Sequence, residues 1–409
     1  MNSNTRFDFI LTDEFQKFAK EHSAADPVML RLKDLSHLPF DKELAIIQLE
    51  CRKKAKRKIP ELAEQLAYPT AVSIEQCTSS ILAEFHASLF ETDDNVIDLT
   101  CGLGIDTFFI AQKAQTVTSV EANDTVAEAA GFNYNRLGRS NISVVCDTAE
   151  HFISTHSGEL KANAVFVDPS RRLTQDRNLR TYSIKDTTPD VALMLPEIRR
   201  FADFMIVKAS PMVDISQTIA DFPDISDVWI LSVKNECKEL LFRIDFRTKK
   251  EIEIHTLNFD SLHTQIFSYT YGATASPMIS SHIGQGHTLC VPNASVMKAG
   301  AYNLAAQAFG LRKIAANSHL LFAEKGQPDS FPGRQFEVID ILSLSKPDVK
   351  KLKSITGCAN IACRNFPLTP EELRKKLRIG DGGEYYIFAT TTADAKKILL
   401  LCKPQQPTA

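Results

Sequence analysis

The sequence predicts a multidomain α/β protein organised around a parallel sheet, and three observations carry that expectation. The chain has 409 residues, more than one ordinary hydrophobic core organises. From Asn95 to about Phe246, short apolar runs alternate with helical patterns. That rhythm predicts parallel strands with ligands at their carboxyl ends. Between the first run and its helix lies a Gly-rich turn, "TCGLGID", Thr100 to Asp106.

Composition narrows the class. Hydrophobic residues make up 44% and charged residues 24%, ordinary for a globular protein. The start, "MNSNTRFDFILTDEF", lacks the basic and apolar regions of a signal peptide, and no apolar run approaches a membrane span. Nine scattered cysteines without a CxxC pair predict a reduced, cytoplasmic protein without a disulfide framework or metal site. The net charge of −3 is uneven: from Glu251 onward 17 Lys+Arg stand against 13 Asp+Glu, and before it 30 against 37. A mildly basic C-terminal third suits an anionic partner.

The elements follow in order. Residues up to about 90 read as helices, and "RKKAKRK", Arg52 to Lys58, reads as a solvated helix face rather than a phosphate-contacting one. Strands are expected at "VIDLT", "VTSVEA", "ISVVCD", "AVFVDP" and "FMIVKA". "VWILSVKN" and "ELLFRIDF" then form an antiparallel hairpin, where a dinucleotide-binding dehydrogenase would continue with a βαβ crossover. A new segment opens near Ser276, with a helix from about Ala294, a short strand in "RKIAANSHLLFAEKG" and another in "DSFPGRQFEVIDILSLS". The tail from Ile355 reads strand, helix, strand, helix; Thr369 is the N-cap and Pro370 the first residue of its first helix.

The predicted strand ends converge chemically. They carry Asp98, Glu121, Asp147 and Asp168, each one βα unit apart, so they describe one cleft. An acid at the place of Glu121 accepts both hydroxyls of a ribose, and Asp147 is placed to accept from an exocyclic amine. Each could instead cap a helix.

On these residues the chain resembles the class I S-adenosylmethionine-dependent methyltransferases, over about residues 71 to 250. "DLTCGLGID" looks like their motif I. The resemblance implies that Gly102 and Gly104 admit the methionine part of the cofactor and that Asp98 orients its amino group directly or through water. Glu121 would hold the ribose and Asp147 the adenine. Asp106 and Asp98 crowd the turn with negative charge, which suits a sulfonium and an ammonium better than a phosphate. "VFVDPSRR" falls where methyltransferases of nucleic-acid bases carry (D/N)PP(Y/F/W). There Asp168 and the Pro169 carbonyl would accept the hydrogens of an amino group and restore its lone-pair density. Ser170 replaces the second proline and Arg171 the aromatic, nearer the DPPR of the RNA uracil-C5 methyltransferases. Those use a cysteine after the fifth strand, where this chain has "VKASPMVD"; Cys237 reads as a packed residue. Arg171, Arg172, Arg177 and Arg180 divide between gripping phosphates and pairing with strand-end acids.

"FPGRQFEV" and "RNFPLTPEELRKKLRIGDGGEYYIFAT", with the segments before them, resemble the ferredoxin-like and THUMP-like modules attached to a group of bacterial methyltransferases. The implied organisation is a helical region at 1–70, a Rossmann-like seven-stranded methyltransferase domain at 71–250, a ferredoxin-like domain at 277–335 and an α+β THUMP-like domain at 336–409. The implied cofactor is S-adenosyl-L-methionine and the implied partner is RNA, tRNA or rRNA, contacted by Arg364, Arg374 and Lys375. An enzyme that methylates an RNA base is the leading expectation. A methyltransferase of a small molecule or protein, or an RNA-binding protein with a vestigial cleft, are the alternatives.

Overall fold

The computed structural model describes residues 5–171, 183–260 and 263–405. Two compact units emerge: Met1–Ser226 with Leu241–Lys250, and Asp227–Leu240 with Glu251–Ala409.

The first unit opens with α1 (Asp13–Glu21), α2 (Pro27–Leu32), α3 (Lys42–Lys58), α4 (Ala71–Gln76) and α5 (Ser80–Ala87). Thr12, Asp26, Asp41 and Thr70 start the first four, each side-chain oxygen accepting a backbone N–H of the first turn. Phe7, Phe15, Phe18, Leu30 and Ile46 pack in one core that joins α1, α2 and α3 to Ala129 and Phe132. Lys53, Lys54, Lys56 and Arg57 of the basic run on α3 are exposed, as a solvated face requires, and Arg52 departs from it. Arg52 is buried, with its guanidinium 5.1 Å from the centre of the Phe15 ring and 3.4 Å from Glu64. Lys54 pairs with Glu50 and Glu75, Lys56 pairs with Glu64, and Lys58 donates to the carbonyls of Ile74 and Glu75. Half of the run's six cations, Arg52, Lys54 and Lys56, thus meet carboxylates of the same unit.

The sheet follows, with β1 (Asn95–Asp98), α6 (Ile105–Lys113), β2 (Thr116–Glu121), α7 (Asp124–Arg136), β3 (Ile142–Cys146), α8 (Ala149–His156), β4 (Ala164–Val167), α9 (Val191–Phe201), β5 (Phe204–Ala209), α10 (Ile215–Asp221), β6 (Ile225–Val233) and β7 (Glu236–Asp245). Then come β8 (Glu253–Phe259) and β9 (Thr264–Thr270). The strand order is β3-β2-β1-β4-β5-β7-β6-β8-β9. β1 to β5 are parallel, and every residue of β4 and β5 is buried, as expected of strands covered on both faces. Lys234 and Asn235 both take positive φ, 51° and 63°, giving the two-residue turn of the expected β6–β7 hairpin. The order 3-2-1-4-5-7-6 is that of the class I methyltransferase fold. β8 and β9 were not anticipated; β8 runs parallel to β6, and β9 antiparallel to β8.

The second unit continues through β10 (Thr288–Pro292), α11 (Ala294–Lys298), α12 (Tyr302–Ala308), β11 (Arg312–Lys313), β12 (Leu321–Ala323), β13 (Gly333–Leu342), α13 (Lys346–Ile355), β14 (Asn360–Cys363), α14 (Pro370–Leu377), β15 (Tyr386–Thr391) and β16 (Lys397–Pro404). Its sheet has the order β11-β12-β10-β13-β16-β15-β14. Thr369 caps α14 in a reciprocal capping box with Glu372, and Pro370 is its first residue, as the sequence predicts. The last element is corrected from helix to strand. β16 pairs antiparallel with both β13 and β15, and Leu399 to Cys402 are buried between them.

Candidate cofactor cleft

The cleft lies in the first unit, at the carboxyl ends of β1, β2 and β4. Gly104 begins α6 at φ +82°, and a Cβ there would stand 2.2 Å from the Tyr134 hydroxyl. Only glycine allows that approach. Gly102, at φ +55°, turns its N–H onto Glu121 Oε2 at 2.9 Å, while Asn123 N–H donates to Oε1 at 2.9 Å. Each carboxylate oxygen retains a lone pair for a further donor. Beside this turn is a cavity of about 630 Å³, within the range of cofactor sites. Its wall includes Gly102, Leu103, Gly104, Glu121, Thr148, Asp168, Pro169 and Ser170, and residues of the segment 70–78 complete it.

Other expected residues stand elsewhere. Asp98 is buried at 1% exposure, off the described cavity wall. Thr107 Oγ1 donates to its Oδ2 at 2.5 Å and Thr100 N–H to its Oδ1 at 2.9 Å. Burial raises its carboxyl to about 7, with those two donors opposing. Asp98 therefore shapes the turn from beneath. Asp147 is also off the wall: His151 Nδ1 lies 2.7 Å from Oδ2 and Thr148 N–H donates to Oδ1 at 2.7 Å. The His151 contact holds that carboxyl below the ordinary value. The neighbouring Thr148 and Ala149 face the cavity instead.

Asp106 lies on the wall yet turns its carboxylate inward. His86 Nδ1 lies 2.8 Å from Oδ1, Thr78 Oγ1 donates to Oδ2 at 2.5 Å, and Lys208 Nζ is 3.6 Å from Oδ2. Burial would raise this carboxyl, but Lys208 and His86 hold it well below the ordinary range. Lys208, buried on β5, also reaches Asp168 Oδ2 at 2.6 Å and donates to Thr78 Oγ1 at 2.8 Å. Sequence reasoning missed it, although a lone lysine in the apolar strand "FMIVKA" was a signal. Asp168 N–H donates to Thr100 Oγ1 at 2.7 Å, which ties β4 to the Gly-rich turn. Ser170 Oγ donates to the Thr188 carbonyl at 3.2 Å.

Arg172, Arg177 and Arg180 lie outside the described residues, as does the side chain of Arg171. Arg364, Arg374 and Lys375 belong to the second unit. Arg374 is an internal strut: it donates to the carbonyls of Ala359 (3.0 Å) and Gly380 (2.8 Å) and pairs with Asp381 at 2.6 Å. Arg364 and Lys375 are exposed. Cys237 is half-buried, and burial pushes its thiol to about 11. No helix among the described residues is long and apolar enough to cross a membrane.

Comparison with known proteins agrees with this architecture. Residues 333–404 match the family model described as THUMP domain-like, and residues 289–332 match one described as a ferredoxin-like domain. The crystal structure of a "putative methyltransferase" from Porphyromonas gingivalis W83 is 28% identical, covers 98% of this chain and 99% of its own, and superposes with a TM-score of 0.85. Among curated proteins, 23S rRNA (uracil(1939)-C(5))-methyltransferase RlmD of Haemophilus ducreyi is 33% identical over 20% of this chain and 18% of its own. An "Uncharacterized RNA methyltransferase" of Enterococcus faecalis is 27% identical over 32% of this chain and 29% of its own. The chain thus spans less than a third of the length of these curated relatives. It is an α/β protein of methyltransferase fold with a ferredoxin-like and a THUMP-like domain.

Proposed function

We propose that the protein is an S-adenosyl-L-methionine-dependent methyltransferase acting on a base of RNA. One observation carries this: the Gly-rich turn, Glu121 and Asp168-Pro169-Ser170 meet on a single cavity of about 630 Å³. The cavity fits the cofactor's size, Gly102 and Gly104 bring bare backbone to its wall, and Glu121 presents a carboxylate edge suited to two ribose hydroxyls. When bound, the cofactor supplies an electrophilic methyl group. The chain's own residues do the rest. Glu121, Gly102 and Gly104 fix the ligand's orientation, which is most of what an in-line displacement requires. Asp168 and the Pro169 carbonyl accept N–H groups of an amino acceptor, directing its lone pair toward the cavity. Ser210 and Pro211 follow β5 where the uracil-C5 enzymes carry a cysteine, so an amino acceptor fits these residues better than covalent catalysis at uracil C5.

RNA as substrate is supported by the THUMP-like domain, the exposed Arg364, Lys375 and Lys376 on it, and the names of the curated relatives. Either tRNA or rRNA is compatible with these features. A cytoplasmic location, where both RNA and cofactor are found, belongs to the same proposal. The test is transfer of labelled methyl from the cofactor to total RNA of a strain lacking the protein, followed by nucleoside analysis. Incorporation into one modified base is expected, and Asp168→Ala should lower the rate by roughly 10²–10⁴-fold, the usual range for a positioned proton acceptor. Full activity in Asp168→Ala would reject the assigned role.

A further inference from the structure

In the cleft the buried cation is as distinctive as the acids. Lys208 sits near the end of β5, one position beyond the Val167–Val207 pair of the β4–β5 register, so it stands beside Asp168 on the neighbouring strand. Its ammonium touches groups from three other segments: Asp168 after β4 at 2.6 Å, Thr78 before α5 at 2.8 Å, and Asp106 of α6 at 3.6 Å. Thr78 passes its own hydroxyl hydrogen to Asp106, which is in turn held by the buried His86. Burying a lysine in an otherwise apolar strand carries a desolvation cost that a purely structural strand end could avoid with an aliphatic residue. Such a residue would remove the 2.6 Å contact to Asp168.

From this geometry we infer that Lys208 is a positioning residue for methyl transfer: it fixes the plane of the Asp168 carboxylate and ties it, through Thr78 and Asp106, to the N-terminal end of the helix that follows the Gly-rich turn. The inference rests on the methyltransferase function proposed above. An ammonium flanked by two carboxylates keeps its proton, so Lys208 is a donor and not the base of the reaction. Its effect passes through Asp168. With one oxygen of Asp168 anchored, the carboxylate cannot swing toward solvent, and an acceptor N–H meets a fixed acceptor instead of a rotating one. Thr78 brings the segment before α5 into the same chain of contacts, so the wall of the cavity and the acceptor-facing acid move together.

The experiment is a cycle on the full chain, with labelled cofactor, total RNA from a strain lacking the protein as acceptor, and S-adenosylhomocysteine as the binding probe. Lys208→Met should lower single-turnover transfer by on the order of 10²-fold, while the dissociation constant for S-adenosylhomocysteine stays within about twofold. Lys208→Arg should recover part of the rate, because it restores a charged donor. In an Asp168→Asn background, Lys208→Met should cost little further, since the group it positions has already changed. Wild-type turnover in Lys208→Met overturns the inference, as does an equal fold-loss in both backgrounds, which is what a residue acting only on packing gives. Should Lys208→Met not fold, Thr78→Val repeats the cycle: a several-fold loss beside wild-type Asp168 and none beside Asn supports the coupling, and equal losses refute it. A wild-type protein that binds S-adenosylhomocysteine but methylates no RNA refutes the proposed function itself, and Lys208's role in it. That result is distinct from an active wild type indifferent to Lys208.

Discussion

Asp98 and Asp106 flank the same Gly-rich turn, and their environments push them in opposite directions. Among the described residues the donors that meet Asp98 are neutral, the Thr107 hydroxyl and the N–H and hydroxyl of Thr100, and burial raises its carboxyl to about 7. Asp106 is buried too, yet Lys208 and His86 hold it ionised far below the ordinary value of 3.8. A buried acid's charge is thus decided by whether a cation reaches it, not by its depth alone. The side of the turn over α6 is an ion network, and the side under β1 is close to a neutral hydrogen-bonded knot.

The largest expected effect breaks the ionic side. Asp106→Asn leaves Lys208 and His86 facing less negative charge, and should destabilise the protein by about 3–5 kcal/mol at pH 7, read by urea unfolding. Because the folded value of Asp106 is depressed, the stability it contributes is present above 3.8 and is lost as pH falls through the folded value. An Asp106→Asn variant equal to wild type at neutral pH would erase the contrast.

The opposite sign is expected under β1. Asp98 has a raised folded value, so its contribution is fullest below 3.8 and declines as pH rises toward about 7. The stability advantage of wild type over Asp98→Asn should therefore shrink between pH 4 and 7, by the order of 2–4 kcal/mol. An advantage that grows over that interval would contradict the assignment.

A smaller effect separates the cavity wall from what lies beneath it. Glu121→Ala should weaken S-adenosylhomocysteine binding by about 1.5–3 kcal/mol in calorimetry, through loss of charge-assisted contacts to ribose. Unchanged affinity would reject the ribose role. The smallest effect applies the same rule to cations. Lys375→Ala with Lys376→Ala should reduce the salt dependence of RNA binding by about 0.7–0.9 per lost phosphate contact. Arg374→Ala should instead lower the melting temperature with the salt slope preserved, since its guanidinium is engaged by Ala359, Gly380 and Asp381.

Legibility from sequence followed the range of the interactions. Five parallel strands, the β6–β7 hairpin and the cap of α14 depend on local pattern, and each stands where the pattern puts it. The strand-end acids were visible too, but their directions were not. Asp98 turns to Thr107, nine residues on, and Asp147 to His151, four residues on, a choice the one-letter pattern does not encode. Lys208 acquires its meaning from Thr78, which is remote in the chain. "KKILLLCK" is an apolar run that suits a buried strand as well as a helix, and pairing with both β13 and β15 decides for strand. The basic run of α3 is solvated at most positions, as read, and the burial of Arg52 was hidden because its partners, Phe15 and Glu64, lie in other segments.

The chain's path between its two units also governs how the protein can be cut. Residues 227–240 belong with the C-terminal unit, yet 241–250 return to the first before the chain leaves it again. No single break therefore yields two intact pieces. A fragment ending at 276, the natural choice for isolating the cleft, would retain 227–240 and 251–276 without the rest of their unit. A fragment ending at 226 would lack 241–250, including the Arg247 that holds Asp203 and the Phe246 N–H that donates to the Asp203 carbonyl. Gene fusions, protease mapping and expression trials on this protein should treat it as one interleaved chain.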